Sequence, residues 1–80
     1  MAATTRDQLV DIVTDALGCE PATVTDAATM ATLGADSVDV IEIVMRAEDE
    51  CAVTITDQEA EGLSTFGDLV AIVERKRVPA

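Results

Sequence analysis

The stretch Leu33-Gly34-Ala35-Asp36-Ser37-Val38-Asp39 constrains this chain most, because it sets where a long acidic helix must begin. It runs straight into Val40-Ile41-Glu42-Ile43-Val44-Met45-Arg46-Ala47-Glu48-Asp49-Glu50. Asp36 reads as the N-cap, since its carboxylate can accept a backbone N–H that the first turn leaves unpaired. Asp39 adds a negative charge in the first turn, where the helix dipole favours it. Ser37 is then the first helical residue, presented to water at the end of a glycine-containing turn. The helix, expected over 37–50, carries two apolar stripes. Val40, Ile43, Val44, Ala47 and Cys51 share one face at helical spacing, and Val38, Ile41, Met45 and Glu48 lie on a neighbouring one. One stripe can bury in a small bundle. The other either widens the core face or stays in water, flanked by Asp39, Glu42 and Asp49. In the second case it is an apolar strip with a charged rim, the make-up of a protein-recognition surface.

A serine held up in this way invites a nucleophile reading, and the composition opposes it. The chain has no histidine. A serine hydroxyl needs an adjacent base to attack. The single lysine, Lys76, lies far along the chain, and carboxylates are weak bases. Ser37 is better read as a residue on which another enzyme performs chemistry. A phosphodiester there would sit over the helix N-terminus, which suits an anion, while Asp36 and Asp39 work against it.

At these residues the chain resembles the acyl carrier proteins. Their signature, Leu-Gly-Ala-Asp-Ser-Leu, stands here as Leu33 to Val38, with valine in the last place. The resemblance continues through Val44-Met45, Glu48-Asp49-Glu50, Ile55 and Asp57-Gln58-Glu59-Ala60-Glu61, and covers about Thr5 to Val73. It implies that a phosphopantetheinyl transferase attaches a 4′-phosphopantetheine arm, taken from coenzyme A, to Ser37. The arm's thiol would hold acyl groups as thioesters and shuttle them between separate enzymes of a type II polyketide or fatty acid synthase. The implied partners are a ketosynthase, an acyltransferase and other synthase enzymes with basic docking surfaces. Val38, Ile41 and Met45 would be the apolar contacts, and Asp36, Asp39, Glu42, Glu48 and Asp49 the charges around them. The chain itself would catalyse nothing.

This chain departs from the family pattern at four places. Thr29, Ala31 and Thr32 stand where an aromatic residue and two acids are usual, Val38 replaces leucine, Arg46 replaces a small residue and Cys51 a phenylalanine. These changes point to a specialised synthase, and Arg46 is expected to select partners by repelling some basic surfaces. A different class of function also fits the acidity: an unmodified helical adaptor for basic proteins.

Charge and length bound the rest. The net charge is −11, and nine acids against Arg46 lie between Asp36 and Glu61. That disfavours nucleic acid and anionic membranes, and favours basic protein partners by steering. Eighty residues suit one small domain, expected over 1–80 and ordered over about 5–76, monomeric, with an aliphatic core in which Phe66 is the only aromatic. Met1 to Thr4 lack the basic start and apolar run of a signal peptide. Cys19 and Cys51 form neither a disulfide framework nor a metal-ligand spacing. A cytoplasmic, reducing setting is the simplest fit.

Three more helices complete the expectation. Thr5-Arg6-Asp7-Gln8 reads as a capping box that opens a first helix over about 6–17. Leu9, Ile12, Val13 and Ala16 form its stripe, and Gly18 is a left-handed stop. Residues 19–35 form a long connection pinned by Val24, Met30 and Leu33. Ala52 to Ile55 is an extended connector with Val53 and Ile55 turned inward. Thr56-Asp57-Gln58-Glu59 opens a short third helix over 57–61, too short to persist alone and therefore the natural gate to the interior. Thr65-Phe66-Gly67-Asp68 opens the fourth, with Phe66, Leu69, Val70 and Val73 as its stripe. Arg75, Lys76 and Arg77 complement its C-terminus, and Pro79 ends order. The expected fold is all-α: a four-helix bundle of the acyl carrier type, three helices long and one short.

Overall fold

Each of the four described α-helices opens with the same device, a side chain capping the third residue's N–H and being capped in return. The computed structural model describes residues 4–77, so the expectations for Met1, Ala2, Ala3 and Pro79 lie outside the described residues. Helix α1 spans Thr5–Leu17, α2 Ser37–Cys51, α3 Asp57–Glu61 and α4 Phe66–Lys76. Their reciprocal caps are Thr4 with Asp7, Asp36 with Asp39, Thr56 with Glu59 and Thr65 with Asp68. Each box satisfies two backbone donors that the helix cannot. Three long helices and one short match the expected architecture.

The first box sits one residue earlier than expected. Thr4 is the N-cap, its Oγ1 3.0 Å from the Asp7 N–H, and Thr5 is already helical. An aspartate is the stronger partner, because a hydrogen bond to an ionised group outweighs a neutral one. Gln8, expected to close the box, instead accepts from Arg77 at 2.6 Å, joining α1 to the chain beyond α4. Gly18 ends α1 in the left-handed region (φ 68°), as its position implied.

The core is apolar throughout, and among the described residues no polar or charged one is buried. Leu9, Ile12 and Val13 of α1, Ile43, Val44 and Ala47 of α2, and Phe66, Leu69 and Val73 of α4 meet at its centre. Phe66 is fully buried, with the Arg6 guanidinium 5.5 Å from its ring centroid. Cys51 is buried in the place of a larger residue. Burial pushes its thiol up, so it stays protonated and unreactive near neutrality.

The long connection is ordered by backbone bonds. It contains a short 3-10 turn, Pro21–Thr23, and its Val24 and Met30 are buried while Leu33 packs against the core. The N–H groups of Phe66 and Gly67 donate to Ala28 and Asp26 carbonyls at 2.9 and 3.0 Å, and Met30 N–H donates to Ser64 at 3.4 Å. Thr29 and Thr32 cap each other's N–H groups at 3.0 and 3.1 Å. The threonines that replace the family's usual residues thus close the turn by themselves.

Candidate functional site

Ser37 stands at the end of this stitched platform. Leu33 and Ala35 N–H groups donate to Thr29 and Met30 carbonyls at 3.1 and 2.9 Å, wrapping 29–35 into a tight turn. Gly34 turns the chain at φ 85°, a conformation that favours glycine because it has no Cβ. Asp36 then caps α2, its Oδ1 2.9 Å from the Asp39 N–H, and Asp39 Oδ2 accepts from the Asp36 N–H at 3.2 Å. Both carboxylates are turned onto the backbone. These hydrogen bonds fix where the two negative charges stand beside Ser37 without neutralising them. Ser37 itself is exposed.

The two stripes of α2 separate into a buried one and an exposed one. Ile43, Val44, Ala47 and Cys51 are buried, whereas Val38, Ile41 and Met45 are 71, 58 and 62 % exposed. The wider core face, the alternative left open above, is excluded. These three side chains form an apolar strip beside Ser37, rimmed by exposed Glu42 and Asp49.

Ser37 also opens into a groove of about 600 Å³ between α2 and α3, whose lining shares Ile41 and Met45 with that strip. Val40, Val44 and Ile55 line its floor, with Ala60 of α3 opposite, and Asp36, Glu48, Asp57 and Glu61 stand around it. An exposed hydroxyl at the end of an open, apolar-floored groove fits a slender chain attached through a phosphodiester. Ser37 presents its hydroxyl there, and Val40, Val44, Ile55 and Ala60 form an apolar surface beside it.

Two charged residues do not sit as their sequence positions implied. Glu48, expected to face partners, is half-buried, and its Oε2 accepts from the Ile55 N–H at 2.9 Å. Its carbonyl also receives the Ala52 and Val53 N–H groups. Arg46, expected to repel basic partners, is held by Asp15 of α1 at 2.8 Å and Glu50 at 3.4 Å. Its guanidinium is held even more firmly in the charged form, chiefly by Asp15. Arg75 and Lys76 lie in the last turn of α4, as expected, and both reach Glu59 of α3, at 3.1 and 2.8 Å. Lys76 and the Thr56 N–H hold the Glu59 carboxyl down at about 2. No local pattern announces these pairs, because their partners lie 16, 17 and 31 positions apart in sequence. The Thr29–Thr32 box was legible as a threonine pair at capping spacing.

Known proteins match the chain along nearly all its length. A family model described as the phosphopantetheine attachment site matches residues 7–73. An acyl carrier protein from Thermotoga maritima is similar in structure, with a TM-score of 0.78 and 35 % identity over 95 % of this chain and 94 % of that one. The acyl carrier protein of Enterococcus faecalis is similar at a TM-score of 0.77 and 30 % identity, over 90 % of this chain and 92 % of that one. Bundle, serine-bearing helix start, groove and family match agree: the chain belongs to the acyl carrier proteins, the family that bears a covalent 4′-phosphopantetheine.

Proposed function

We propose that Ser37 is the attachment residue and that this chain is a discrete carrier, one domain over 1–80, serving a type II polyketide or fatty acid synthase. The exposed hydroxyl at the open end of the α2–α3 groove is the observation that carries this reading. Members of the family carry and do not catalyse, and they work with synthase enzymes. When bound, 4′-phosphopantetheine supplies a thiol that holds an acyl group as a thioester on a flexible arm. The chain's own residues do the rest. Ser37 has no basic neighbour to take its proton, so a phosphopantetheinyl transferase must bring the base. Asp36 and Asp39 hold the helix start rigid while Ser37 reacts. Val38, Ile41 and Met45 give partners an apolar seat, and Glu42 and Asp49 steer basic surfaces towards it. Tethering raises the effective concentration of the carried group at whichever enzyme is docked.

Glu48 and Asp39, turned inward, contribute to that steering through their field and not through direct contact. Arg46, already neutralised by Asp15 and Glu50, is not a repelling charge. The departures at Val38, Arg46 and Cys51 favour a specialised acyl product, with a ketosynthase and an acyltransferase among the partners, in a cytoplasmic setting and as a monomer. Among the described residues no helix is long and apolar enough to cross a membrane.

The test is mass spectrometry of the purified chain after incubation with coenzyme A and a broad-specificity phosphopantetheinyl transferase. A carrier gains one phosphopantetheine, and Ser37→Ala abolishes the gain. No gain in the unaltered chain sinks the proposal and leaves the acidic adaptor.

A further inference from the structure

Arg46 is the only cation on α2, and its partners are not the ones its own helix favours. Glu42 stands four residues before it and Glu50 four residues after it. An acid four residues N-terminal to a base is the better of the two orientations, so α2 alone favours a Glu42–Arg46 pair. The structure shows another arrangement. The Arg46 guanidinium lies 2.8 Å from Asp15 of α1 and 3.4 Å from Glu50. Among the described residues no ion pair engages Glu42 or Asp49, and both are exposed. Arg46 is also the ridge between two open clefts, one holding Ile41, Met45 and Glu42, the other Asp11 and Asp15. The side to which its head leans therefore decides what stands at the rim of the apolar strip.

We propose that Asp15 is a positioning residue for docking: by drawing Arg46 across to α1 it keeps Glu42 and Asp49 unpaired beside Val38, Ile41 and Met45, and so sets a preference for partners that carry basic groups around an apolar plug. Glu50 cannot do this alone, because it holds Arg46 in the weaker intrahelical orientation and Glu42 then competes. Asp15 reaches the guanidinium from another helix and tips the balance away from the rim. The net charge is the same whichever acid holds the arginine. What changes is where the uncompensated charge stands, and a docking surface senses position, because screening limits each exposed charge to a range of about 8 Å. The inference rests on the carrier reading for the use of the docking face and not for the pairing that shapes it.

The experiment has two arms. In the first, proton NMR on the unmodified chain follows the Arg46 side chain. Its δ-methylene should show contacts to Asp15 in the unaltered chain and in Asp15→Glu, and to Glu42 in Asp15→Asn. In the second, the kinetics of Ser37 modification are measured with the broad-specificity phosphopantetheinyl transferase and coenzyme A. Asp15→Asn should raise KM for the chain about threefold with kcat unchanged, the scale of one exposed charge at an interface rim. Asp15→Glu should restore the original KM. Asp11→Asn removes the same charge from the same helix without touching Arg46, and should change KM by less than about 1.5-fold. Added to Arg46→Gln, Asp15→Asn should cost no more than that, because no arginine is left to redirect. An Arg46 that stays on the α1 side without Asp15, an equal cost for Asp11→Asn, or a full cost in the Arg46→Gln background would each overturn the assignment. If the unaltered chain is not modified at all, the carrier reading fails, while the NMR contacts still decide whether Asp15 directs Arg46.

Discussion

The two sides of the groove beside Ser37 are built by different physics. The platform of residues 24–36 is stitched to the start of α4 by main-chain bonds and anchored by buried Val24, Met30 and Phe66. The opposite wall, α3, is fastened by the carboxylates of Glu48 and Glu59 and has no buried residue. Bonds between backbone groups backed by burial resist local opening, and exposed side-chain pairs do not. The serine thus stands on the stiff side and faces the side that can move. The division suits the role proposed for Ser37, a residue presented in one geometry while the space beside it changes.

Substitutions sharpen the contrast. Phe66→Ala empties the centre of the platform and should cost about 3–5 kcal/mol in denaturant unfolding, enough to unfold so small a chain. A loss below about 1 kcal/mol would show that the platform does not depend on burial. Gly67→Ala places a Cβ 2.9 Å from the Asp26 carbonyl oxygen, so the stitching must shift. The expected loss is about 1–3 kcal/mol in the same measurement.

Acid should act on the other side of the comparison. The Glu59 carboxyl of α3 is lowered from 4.5 to about 2, chiefly by Lys76. A lowered carboxyl stabilises the fold above its unfolded value, and that contribution disappears as pH falls from about 4.5 towards 2. Circular dichroism and exchange against pH should therefore show α3 loosening across this window before the core melts. Simultaneous loss of both would erase the distinction between the two walls.

The smallest effects come last. Ala52 ends α2 at φ 56°, where an alanine is strained, so Ala52→Gly should stabilise the chain by about 0.5 kcal/mol. Met45→Ser on the exposed strip should change stability by less than about 0.5 kcal/mol. It should still weaken binding of partner enzymes, measured by titration against the transferase. Equal binding by the variant would remove Met45 from the docking strip.

Much of this was legible in the residues. The stripes on all three long helices, the stop at Gly18 and the caps of α2, α3 and α4 are local, because helical periodicity and capping act within one turn. The first cap lies at Thr4 and not Thr5, because Asp7 closes a box with Thr4 and is a stronger partner than Gln8. The spacing gave two α2 stripes and packing decided that only one is buried, whereas the exposure of Ser37 followed from its place at a helix start. The roles of Glu48, Arg46 and Glu59 did not, because each carboxylate or guanidinium chose among several partners by distance in three dimensions.

What the sequence determined by itself was the set of helices, the buried face of each and the placing of Ser37 at an N-terminus beside two capping aspartates. These follow from short-range sterics and hydrogen bonding, which neighbouring residues fully specify. Only the tertiary structure decided which acids remain free to meet a partner and which are spent within the fold. Ion pairs form between whichever side chains packing brings within about 4 Å, and no local pattern encodes that meeting.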